Sequence, residues 1–222
     1  MSQTENLSGY DIHTRDAFRA WLAKRCEPDA ATAEVPSADV RRRLTPGRFR
    51  DPQADRRLVD FGRFRQEEIA SFLGELGRAV RRGSDGQSLA LFFYGYTWEL
   101  AGVPAGSAET GHFGLEWLLE HYGDAVDGFS APFSYGDRRW PGSAPVMSAA
   151  ETVLRSGRLW INEDDTRTFR EELWDRFVKG GGDPTTTPEK TLDVLKRNAT
   201  FDILRGYGDW WMDLMGRGWY RD

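Results

Sequence analysis

The chain has 222 residues, 39% of them hydrophobic and 13% aromatic, so it can bury a sizeable core as one large domain or two small ones. That composition argues against extended disorder. A net charge of −5, with no basic block beyond Arg41, Arg42 and Arg43, argues against a nucleic-acid partner.

Residues 1–12 read as a polar lead-in with no basic segment followed by an apolar one, so no signal peptide is expected. A helix is predicted over 13–25, with Phe18, Trp21 and Leu22 on one face. The single cysteine, Cys26, excludes an intrachain disulfide and fits a reducing cytoplasm. Residues 27–56 carry Pro28, Pro36, Pro46 and Pro52 and read as a surface connection with a short helix near 37–43. The arginine run there reads as a solvated face. A second helix is predicted over 57–82, on the spacing of Phe61, Phe64, Glu68, Phe72, Leu76 and Val80, and Gly83 ends it.

The run LALFFYGY at 89–96 is nearly continuous in apolar residues and suits a strand buried on both faces. Its apolar part is far too short to span a membrane. A helix near 111–122, a strand near 126–131 and a helix near 146–156 follow. The next strand starts at Leu159–Ile161 and runs into Asn162, Glu163, Asp164 and Asp165. Thr187 and Pro188 open a helix to about 205 as N-cap and first-turn residue, and Gly206 stops it. YGDWWMD at 207–213 reads as the fourth strand. Strands alternating with helices predict an α/β fold with parallel pairing. The glycine run at 180–182 lies between helices, not after a strand, so no phosphate-binding loop is expected.

In parallel α/β folds the functional groups gather at the carboxyl ends of the strands. Four such ends here carry polar or aromatic groups: YGYTWEL, APFSYGDRR, INEDDTRT and WWMDLMGRGW. Side chains alternate along a strand, so Glu163 shares a face with Leu159 and Ile161, and Asp164 shares the other with Trp160 and Asn162. A carboxylate at that rim is costly unless paired or hydrogen-bonded. It is either a catalytic group or a structural one paired with Arg167 or Arg138. A divalent metal site is a third reading, with only Asp213 as a complementary acid at another strand end. Tyr94, Tyr96, Trp98, Tyr135, Trp210, Trp211 and Trp219 crowd the strand ends, and their rings suit sugars or a core. Trp210 and Trp211 are neighbours, so only one can face inward and a helix is expected to cover the other. His112 reads as a capping or packed residue, and the histidines and cysteine form no zinc set. No cofactor is expected.

Several stretches resemble β-galactosidase-like glycoside hydrolases of family 42: AFRAWL (17–22), FRDPQADRRLVDFGRFR (49–65), LFFYGYTWELAG (91–102), GH (111–112), VDGFSAPFSYGDRR (126–139), GRLWINEDDTRT (157–168) and RGYGDWWMDLMGRGWY (205–220). The resemblance implies a (β/α)₈ TIM barrel of which this chain carries strands five to eight with their helices. It implies retaining hydrolysis with Glu163 as nucleophile and no metal. Tyr135 would hydrogen-bond that nucleophile, and Trp210 or Trp211 would floor the sugar site. Tyr94, Tyr96, Asp164, Asp165, Arg167, Arg138 and Asp213 would line or brace the cleft. Residues 1–56 would form an N-terminal helix and connection, and 57–222 the half-barrel. The acid/base glutamate would precede Met1, since Glu99 and Glu109 do not match its position. Retaining hydrolysis needs two carboxyl groups roughly 5 Å apart. The chain is therefore expected to be an incomplete hydrolase that joins a missing half-barrel or self-associates. The alternative is a non-catalytic half-barrel that binds carbohydrate or a partner chain. A metal-dependent phosphoryl enzyme is a third reading.

Overall fold

The computed structural model describes residues 9–42, 50–98, 111–170 and 187–213. These fall into two compact units, one within Met1–Leu73 and Leu100–His121, the other within Gly74–Glu99 and Tyr122–Asp222. The boundary expected near residue 56 lies inside the first unit. The glycine run 180–182, Glu99, Glu109 and Trp219 lie outside the described residues.

In the first unit, α1 (Ile12–Lys24) starts where the Asp11 carboxylate accepts the Thr14 backbone N–H at 2.9 Å. Its face of Phe18, Trp21 and Leu22 packs on Phe61 and Phe64 of a long helix, with Phe18 edge-on to Phe61 at 5.2 Å. Glu67 accepts the Trp21 indole N–H at 2.7 Å and pairs with Arg25, so the buried carboxylate is satisfied. A short helix, α2 (Ala38–Arg42), lies where one was expected. Arg41, expected to face solvent, is instead buried, its guanidinium 5.1 Å from the Phe61 ring.

Helix α3 spans Arg56–Gly83. Its apolar residues do not form one buried stripe: Phe61 and Phe64 are buried, but Phe72 is 60% exposed and Leu76 and Val80 are exposed. Steps of four residues overshoot a helical turn by about 40° each, so the series from Phe64 to Val80 winds about 160° round the helix. In the second unit the packed face carries glycines. A Cβ on Gly74 would lie 2.1 Å from the Tyr122 ring, and one on Gly77 would lie 2.2 Å from the Ala125 carbonyl oxygen.

Among the described residues the second unit holds four strands: β1 (Leu91–Phe93), β2 (Gly128–Pro132), β3 (Leu159–Asp164) and β4 (Gly208–Trp211). All pair in parallel, in the order β1-β2-β3-β4. Helices α4 (Leu115–Tyr122), α5 (Ala150–Arg155) and α6 (Pro188–Arg205) lie between them in the chain. This is the α/β fold with parallel pairing expected from the sequence. The ladder of β1 is shorter than the apolar run 89–96, and β3 is longer than its apolar part, since its pairing carries on through Glu163 and Asp164.

Register assigns the faces. Leu91, Phe93, Ser130, Pro132, Leu159, Ile161, Glu163 and Trp210 point one way. Phe92, Phe129, Ala131, Trp160, Asn162, Asp164, Asp209 and Trp211 point the other. The second face is the packed one from Phe129 to Asp164. On the first face Leu91 is exposed and Leu159 is 47% exposed. The expectation that the strand at 89–96 is buried on both faces is therefore corrected: within β1, Leu91 is exposed and Phe92 and Phe93 are only half-buried.

Candidate functional site

The carboxyl ends of four parallel strands share one edge of the sheet. Glu163 stands there on β3, between Pro132 of β2 and Trp210 of β4, and it is buried. It faces the less covered side with Ile161 and Leu159, as alternation predicts. The Trp210 indole leans across that side: its Nε1 lies 3.4 Å from Ser130 Oγ on β2, and its ring is edge-on to Phe93 of β1 at 6.0 Å.

Three segments bring charge and hydroxyl groups to Glu163. Arg138, from the loop after β2, pairs with Asp165, from the end of β3, and its guanidinium lies 4.4 Å from the Tyr135 ring. Tyr96 follows β1 and is buried. Burial pushes the Glu163 carboxyl up to about 7; the Asp165 charge adds to this and the Arg138 guanidinium opposes it. Burial also raises Asp165, against the pull of Arg138. The Tyr96 hydroxyl is raised by burial and then by Glu163, Tyr135 and Asp165, so it stays a neutral donor. Glu163, Tyr96, Tyr135, Arg138 and Asp165 are thus one electrostatic cluster on one edge.

Helix α6 positions this cluster from behind. Thr187 caps it through the Lys190 N–H at 3.2 Å, and Gly206 ends it in the left-handed region. Arg197 on α6 donates to the Arg138 carbonyl at 2.9 Å and also reaches the carbonyls of Arg139 and Gly142. In the same loop Asp137 accepts the Ser143 backbone N–H at 3.0 Å and the Ser143 hydroxyl at 2.6 Å. The backbone that carries Arg138 is held at both ends of this turn.

Other expected site residues stand elsewhere. Tyr94 is buried against Phe129, at 6.1 Å, on the packed face. Asp164 is fully buried on that same face, where Asn198 Nδ2 donates to it at 2.9 Å and the Thr166 backbone N–H at 3.0 Å. Arg167 and Asp213 are half-buried beyond the ends of β3 and β4. Trp211 faces the Asp164 side and is 55% exposed, its Nε1 donating to Asp209 at 2.8 Å. The helix expected to cover it is not found among the described residues. His112 is buried in the first unit, and burial pulls its imidazole down to about 4, so it is a neutral packed residue at physiological pH.

Reading strand ends missed a polar network behind β3 and β4. Trp160 Nε1 donates to Asn162 Oδ1 at 2.7 Å, and Asn162 Nδ2 donates to Asp202. Asn198 joins Asp164 and Thr166, and Asp209 lies alongside on β4. The signal was present: Thr191, Val194, Asn198 and Asp202 recur at three- and four-residue steps, and all four are buried. Among the described residues no group of three or more histidine, cysteine, aspartate or glutamate side chains is arranged to hold a metal ion. None of the described helices is long and apolar enough to cross a membrane.

No family model, curated protein or solved structure matches the chain.

Proposed function

We propose that the chain is half of the catalytic barrel of a β-galactosidase-type retaining glycoside hydrolase, without its acid/base glutamate, its parallel sheet forming four strands of a (β/α)₈ barrel. The carrying observation is Glu163, a carboxyl group at a strand end on the less covered face, beside an indole that spreads across that face. Glu163 would attack the anomeric carbon, and the glycosidic oxygen would leave with the bonding electrons. The nucleophile must be anionic; burial opposes this and Arg138 favours it. Tyr96, kept neutral, and Tyr135 are the hydroxyls suited to orient the carboxylate. Trp210 offers a flat apolar surface for a sugar ring. Retention needs a second carboxyl group roughly 5 Å away to protonate the leaving oxygen. Asp165, the carboxylate whose charge acts on Glu163, is tied to Arg138 and cannot serve without breaking that pair.

The test avoids that requirement. A 2-deoxy-2-fluoro-β-galactoside with a dinitrophenolate leaving group needs no acid, because its leaving group is already weakly basic. Incubation should add one fluoroglycosyl group to the peptide holding Glu163, seen by mass spectrometry, and Glu163→Gln should carry none. Unlabelled Glu163 in folded protein would overturn the reading.

A second reading is favoured by Trp210, 39% exposed on the same face: a sheet that binds carbohydrate without cleaving it. It predicts no label but a saturable change in tryptophan fluorescence with galactosides, lost in Trp210→Ala.

A further inference from the structure

The network behind β3 and β4 carries something the glycosidase reading does not use. Asp202 of α6 is 1% exposed. Its Oδ1 accepts from Asn162, but its Oδ2 has no hydrogen-bond partner among the described residues. Oδ1 of Asp209, on β4, has none either, while its Oδ2 accepts from Trp211. Two carboxyl groups on adjoining elements each leave one oxygen unsatisfied. A buried carboxylate oxygen without a donor is costly, and the cost is removed by a proton.

The surrounding charges favour that proton. Asp164 of β3 faces both groups and adds a third negative charge. Arg197, one of the cations on α6, feels the Asp164 charge but donates to the carbonyls of Arg138, Arg139 and Gly142 and to Asn198 Oδ1. Arg205 of α6 turns to Glu151 of α5, beside Tyr207. Burial first, then Asp209 and Asp164, lift Asp202 to about 7, against the Asn162 bond; burial and Asp164 lift Asp209 to about 6, against the Trp211 indole and the Trp210 backbone N–H.

We infer that Asp202 and Asp209 together hold one proton between α6 and β4 in mildly acid solution, and that its loss towards neutrality loosens β4 and the Trp210 end of the site. The two groups titrate as a pair, as close carboxyls do. With the proton present, a carboxyl O–H is available to an oxygen that otherwise lacks a donor. With it gone, three carboxylates oppose one another across α6, β3 and β4. Strand β4 is the element free to move, because among the described residues it is an edge with no strand beyond it.

Hydrogen exchange on the full chain tests this without any sugar or turnover, so its outcome is separate from that of the labelling experiment. After correction for the intrinsic rate, protection of the Asp209–Met212 amides should fall about tenfold or more between pH 5 and pH 8. Protection of Phe129–Ala131 in β2 should stay constant. Asp202→Asn supplies a fixed donor in place of the proton and should reduce the fall several-fold. Should that variant not fold, Asp209→Asn, at a half-buried position, should do the same. Flat protection of β4 across this range overturns the inference. So does an undiminished fall in either folded variant.

Discussion

Glu163 and Asp164 are neighbours in the chain and opposites in environment. Alternation sends Glu163 to the face with Trp210 and Asp164 to the face with α6, where Asn198 and Thr166 satisfy it. The sign of the Glu163 shift sets a pH dependence. A raised carboxyl stays protonated to higher pH, so a nucleophilic Glu163 gains its charge only as pH rises through about 7. The rate of glycosyl labelling should therefore climb about tenfold per pH unit below about 6 and level off above about 8. A rate independent of pH across that range would exclude attack by this carboxylate. Arg138 works in the opposite sense. Arg138→Met should move the climb to higher pH, since the guanidinium that favours the anion is gone. It also strands Asp165, so urea unfolding at pH 7 should show a loss of about 3 kcal/mol, smaller in acid where Asp165 can protonate.

At the scale of elements, end signals and glycine contacts make separable predictions. Helix α6 begins and ends where Thr187, Pro188 and Gly206 said it would, because capping is a local affair of a side chain and its own backbone. Gly206→Ala should cost about 1 kcal/mol from the left-handed backbone alone, since nothing lies within 4 Å of a Cβ there. Helix α3 offers a contrast at two interior glycines. Gly62 has open space, so Gly62→Ala should stabilise by about 0.5–1 kcal/mol. Gly77 meets the Ala125 carbonyl, so Gly77→Ala should destabilise despite the same gain in helix propensity. Thermal melting of the two variants should move in opposite directions. The limits of α3 were readable from its sequence, but its buried face was not. Phe72, Leu76 and Val80 keep helical spacing and are still exposed.

At the scale of the molecule, the sheet raises the question of what covers it. Among the described residues β1 and β4 each have a strand on one side only, and Leu91, Leu159 and Trp210 are exposed on the same face. Edges and faces of this kind favour association. All four strands run parallel, so the open edge of β4 in one copy matches the open edge of β1 in another in direction. Light scattering at high protein concentration should accordingly give a mass above the monomer's, and Leu159→Lys should lower it. A folded chain that stays monomeric would rule this association out.

Period and punctuation in the sequence were enough for the element order, the α/β class, the alternation at Glu163 and the caps of α6, because each depends on residues a few positions apart. The extent of β3, the burial of Arg41 and the choice of buried face along α3 depended on partners distant in the chain. So did the division of labour among the acids. Asp202 lies 38 residues beyond Asp164 and Arg138 lies 27 before Asp165, and only the packing of α6 and the β2 loop against β3 brought each beside its neighbours. Protonation followed from that packing too, since desolvation is a property of what surrounds a group and no single stretch of sequence carries it.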